Sequence, residues 1–211
     1  MVPLTYLAIV LSALAAKPAP TPVGNELSAR PRFEAYLATH DVPSAAELRA
    51  LAAAPENALM AIASDARLDG LLRSRAVAAL RLVPSPGAHV FLCKLIETKA
   101  KATDATDRLI VRRAAVALGW MAGTRAAETL ALLFDNEDVE VRLDAVIGLG
   151  LTRAAAAVPP LRKQLAVEQA PRVRDQIERQ LRALGESPIG PDEGHTAPLR
   201  EPPAPPMRSG W

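Results

Sequence analysis

The chain has 211 residues, 50% of them hydrophobic, which is enough for one domain of ordinary size. Its formal net charge is +2, from 25 basic and 23 acidic residues, a balance that gives no strong electrostatic reason to expect a nucleic acid or an anionic membrane as partner. Only 3% of the residues are aromatic, so the apolar content is mostly Ala, Leu and Val and implies an all-α fold, while the single cysteine, Cys93, excludes an internal disulfide and a cysteine-anchored metal cluster.

The N-terminus reads as a targeting segment. Residues 3–11 form a short apolar run, and Ala13 and Ala15 fit a small-x-small cleavage site. The run is too short for a comfortable membrane span. Residues 1–16 are therefore expected to be a signal peptide, cleaved after Ala15 or Ala16, leaving no membrane span in an exported, periplasmic or secreted protein. Residues 17–32 hold Pro18, Pro20, Pro22 and Pro31 with few large apolar residues, and read as a linker.

The ordered domain is expected over 33–185. A short helix is predicted at 31–39, with Phe33, Tyr36 and Leu37 on one side. Ser44 and Glu47 have the spacing of a capping box, and Pro55 suits the first turn of the next helix, so helices starting at 44 and 55 should form a first hairpin. Further hairpins are predicted from 71–82 with 88–98, 108–121 with 125–134, and 139–149 with 155–167, followed by a single last helix at 171–184. A long polar loop is expected over 98–107, and Gly148 and Gly150 read as a helix end. Beyond 185, seven prolines mark residues 186–211 as a disordered tail.

A pattern recurs through this domain. The pairs Leu72-Arg73, Val111-Arg112, Val141-Arg142 and Val173-Arg174 are separated by 39, 30 and 32 residues. A unit of this length is the mark of a stacked repeat array, in which no hairpin buries its apolar face alone. Asp69 and Asp138 stand four residues before Arg73 and Arg142, where an N-cap is expected. The small Ala76, Ala114 and Ala145 allow close helix approach.

These residues resemble HEAT-like repeats of the short bacterial type, also found in phycobilin-lyase-like proteins. The resemblance is carried by Asp138-Val139-Glu140-Val141-Arg142 running into Gly148-Leu149-Gly150, by Ala157-Val158-Pro159-Pro160-Leu161, and by Asp69-Gly70-Leu71-Leu72-Arg73. It covers residues 44–185, although the first hairpin lacks the signature and Asp107 stands five residues before Arg112 rather than four. The resemblance implies a right-handed α-solenoid. It also favours a structural role for Arg73, Arg112 and Arg142, each bonding an Asp or a carbonyl of the adjacent repeat, over a basic stripe for an acidic ligand.

Candidate chemistry is sparse. His40, His89 and His195 lie far apart, none with a carboxylate or cysteine at metal-ligand spacing, so no catalytic, metal or cofactor residue is expected. Cys93, beside Phe91 and Leu95, reads as a small core residue. The basic last helix (Arg172, Arg174, Arg179, Arg182) reads as a solvated end cap. The expected function is a non-catalytic protein-binding scaffold of a bacterial envelope, as a monomer. The alternatives are an accessory subunit resembling the phycobilin lyases and a HEAT-like nucleic-acid module. Second helices line the inner face of HEAT-like arrays. Aligning them on Leu92, Leu130 and Leu161 makes Lys94, Leu132 and Lys163 equivalent, and groups Cys93, Ala131 and Arg162. Lys94, Arg162 and Lys163, with His89 and Glu128 beside them, are the expected partner-binding residues.

Overall fold

Several helix starts in this chain are set by side chains that accept otherwise unpaired backbone N–H groups, and others by a proline in the first turn. In the computed structural model, which describes residues 26–39, 43–121 and 124–186, Ser44 and Glu47 form the complete capping box at the start of α2 (Ala45–Leu51). Pro55 occupies the first turn of α3 (Pro55–Ser64). Asp69 accepts from Leu71 N at 2.8 Å and opens α4 (Gly70–Ala79), which runs on into a 3-10 turn at Leu80–Leu82. Ser85 accepts from Ala88 N at 3.1 Å at the start of α5 (Pro86–Lys99). Asp104 accepts from Asp107 N at 2.9 Å ahead of α6 (Ala105–Met121). After α7 (Thr124–Ala131) and a 3-10 turn at Leu132–Asp135, Asp138 accepts from Glu140 N at 2.8 Å and opens α8 (Val139–Thr152). Then follow α9 (Val158–Val167) and α10 (Pro171–Ala183). Together with α1 (Glu26–Thr39) these are ten α-helices, with no strand among the described residues, so the fold is all-α.

The helices pack in a regular order. α4, α6, α8 and α10 lie side by side, each against the next. α3, α5, α7 and α9 each pack on the first helix of the following pair, and α5–α7 and α7–α9 also touch. One apolar core runs through all of it, from Phe33 and Leu37 through Leu59, Leu92, Leu118 and Leu130 to Leu161, Ile177 and Leu181, each with no exposed surface. α6 and α8 approach closely at two glycines. A Cβ added to Gly119 would stand 2.3 Å from the Gly148 carbonyl oxygen, and one added to Gly148 would stand 2.6 Å from that of Ala115. Backbone therefore meets backbone where any side chain would hold the helices apart.

Several expectations are corrected. The chain is helical from Glu26, so the stretch expected as linker over 17–32 contributes its last seven residues to α1. Ala29, Phe33 and Leu37 form an i, i+4 row that is buried, and Arg30 pairs with Asp65 at 2.6 Å. Pro31 lies inside the helix at an exposed position, where it removes one backbone hydrogen bond but no core contact. The first pair is consequently α1 with α3, while α2 is a short connector touching both. The polar loop expected over 98–107 shrinks to 100–104, because α5 continues to Lys99 and Asp104 rather than Asp107 caps α6. Gly148 and Gly150 sit inside α8 and do not end it. Arg153 does, in the left-handed region at φ 50°. α10 closes with a Schellman arrangement at Gly185 (φ 81°), where Glu186 N donates to Leu181 O at 2.9 Å and Gly185 N to Arg182 O at 3.0 Å. The expected signal peptide over 1–16, the tail with Trp211, His40 and His195 all lie outside the described residues. No helix among those described is long and apolar enough to cross a membrane.

Candidate interaction surface

The recurring arginines start the argument, because a free row of them would be a ligand site. They are occupied. Arg73 Nε donates to Ala63 O at 3.2 Å, across to the preceding helix. Arg112 Nε donates to Asp144 Oδ2 at 2.6 Å and its Nη2 to Glu140 Oε2 at 3.2 Å, tying α6 to α8. Glu140 in turn accepts from Arg172 of α10 at 2.6 Å. Arg142 donates to both carboxylate oxygens of Glu168 at 2.8 and 2.9 Å, and to the carbonyls of Asn136 and Glu137. Arg174 donates to the Leu165 and Glu168 carbonyls. The cap residue Asp138 also pairs with Arg108 at 3.0 Å. The arginines are thus rungs between successive helices.

Glu168 is the anchor of this network. Its side chain is 1% exposed, against 14% for Arg142, and it also accepts from Gln164 Nε2 and the backbone N–H groups of Gln169 and Ala170. Arg142 beside it, aided by those N–H groups, pulls its pKa down to about 2. Asp144 shows the opposite direction: burial raises its pKa against the pull of Arg112. A bidentate, almost fully buried guanidinium–carboxylate pair of this kind fixes geometry and offers nothing to a ligand.

With that row engaged, the outer face of the second helices remains. Leu92, Leu130 and Leu161, on which the second helices are aligned, are all fully buried. Lys94 on α5, Glu128 on α7 and Lys163 on α9 are exposed. The other two expected partner-binding residues differ. Arg162 is partly buried and donates to Glu186 at 2.7 Å, so it braces the end of the domain. His89 is half-buried, with Nδ1 3.8 Å from Cys93 Sγ, one turn along its own helix. Cys93 is 1% exposed and lies in the core. Among the described residues no group of His, Cys, Asp and Glu is placed to hold a metal ion.

Exposure reveals residues that the charge-based reading passed over. Val90 is 60% exposed, Leu132 45% and Val167 62%. They lie one on each of three neighbouring second-helix segments, on the outward i, i+4 rows Val90–Lys94–Thr98, Glu128–Leu132 and Pro159–Lys163–Val167. Val90 stands near the start of α5, Leu132 in the 3-10 turn that follows α7, and Val167 at the end of α9. Arg125 and Glu97 pair across the α5–α7 seam at 3.5 Å, so charge of both signs borders the apolar track. The residues were visible in the sequence by stepping four positions either way from Lys94 and Lys163. Their exposure was not, because it depends on how the neighbouring helices stack.

No protein-family model matches this chain, and no curated protein matches it.

Proposed function

We propose that the chain is a short right-handed α-solenoid of HEAT-like repeats that serves as a non-catalytic binding scaffold of the bacterial envelope, holding a protein partner on the face of α5, α7 and α9. The successive packing of α4, α6, α8 and α10 beside a second row of helices supports the repeat reading. The observation that carries the binding reading is the track of Val90, Leu132 and Val167. Single exposed apolar residues are ordinary on a protein surface, whereas one on each of three successive second-helix segments repeats with the array. Lys94, Glu128 and Lys163 border the track with mixed charge, the composition of an interface rim around an apolar centre.

Export is part of the same proposal, on the strength of the apolar run before Ala13 and Ala15. Mass spectrometry of the native protein should find a mature N-terminus at Ala16 or Lys17, and recovery of intact Met1 from the cytoplasm would exclude an envelope partner.

The binding reading is tested with Leu132→Asp plus Val167→Asp, and separately with Arg162→Ala plus Lys163→Ala. Both variants should fold with nearly unchanged melting temperature, because exposed substitutions shift stability by only about 0.5 kcal/mol and the Arg162–Glu186 pair, partly open to solvent and at the end of the domain, adds little. A partner recovered from envelope extracts on the wild-type chain should be lost on the first variant and weakened on the second. Undiminished recovery on both would rule the face out.

A further inference from the structure

We draw no further inference here: the strongest candidate, the exposed apolar side chains of Leu71 on α4 and Trp120 on α6 along the row of first helices, carries none because nothing in the structure shows what covers them.

Discussion

At the scale of single residues, the arginines at repeat-equivalent positions decide how the surface is read. Arg142 and Glu168 illustrate the energetics. Removing one member of a buried pair leaves the other charge desolvated and unmatched, which costs more than the pair itself contributes. Glu168→Gln should therefore destabilise the domain by about 2 kcal/mol at neutral pH, read by urea unfolding. The same residue makes a pH prediction. A carboxylate whose folded pKa is depressed stabilises fully above its unfolded value of about 4.3 and loses that contribution as pH falls through the folded value of about 2. The stability gap between wild type and Glu168→Gln should thus stay constant above about pH 5 and narrow between about pH 4 and 2. A gap that does not change with pH would show that the carboxylate is not held in this network.

At the scale of elements, the contact between α6 and α8 makes a sharper test than helix propensity does. Ala is favoured over Gly within a helix by about 1 kcal/mol, so Gly→Ala changes there ordinarily stabilise. Gly148→Ala should do the reverse and cost about 1–3 kcal/mol, since its Cβ would meet the backbone of Ala115, which cannot step aside without moving α6. Gly87 in α5 supplies the control, because a Cβ there has nothing nearer than 3.9 Å, and Gly87→Ala should be neutral or slightly stabilising. Thermal melts of the two variants separate the effects. α1 offers a second element-level prediction. Phe33 has no exposed surface, and Phe33→Ala should cost about 3–5 kcal/mol, as for any large core residue. A loss below about 1 kcal/mol would mean that α1 is an accessory to the domain and not part of its core.

The same elements show what the sequence holds and what it withholds. Caps at Ser44, Asp69 and Asp138 were legible because a helix start is a local event, decided by residues two or three positions apart. The buried positions Leu92, Leu130 and Leu161 were legible because helical periodicity fixes a face. The start of α1 is obscured in the sequence by Pro31, which follows Pro18, Pro20 and Pro22, whereas the buried row Ala29–Phe33–Leu37 carries the opposite signal. The partner of Arg142 was not legible: Glu168 lies 26 residues on, between α9 and α10, and only the packing of those helices brings it there. The same limit applies to the interaction surface. Lys94, Leu132 and Lys163 could be aligned by register, with Glu128 beside them, but the engagement of Arg162 by Glu186, 24 residues on, has no periodic signature.

At the scale of the whole molecule, the described residues form one continuous core with its charged rungs tied along it and exposed apolar residues on α5, after α7 and on α9. A scaffold built this way presents its surfaces on rigid helices, so binding on the track should need no rearrangement of the core. The most direct test places a photo-crosslinking p-benzoylphenylalanine at Val90, Leu132 or Val167 in turn, with Ala50, exposed on the short connector α2, as the control position. If the track is the partner surface, irradiation of cells should yield the same crosslinked protein from all three positions and none from Ala50. Crosslinks to unrelated proteins at each position, or the same product from Ala50, would contradict it.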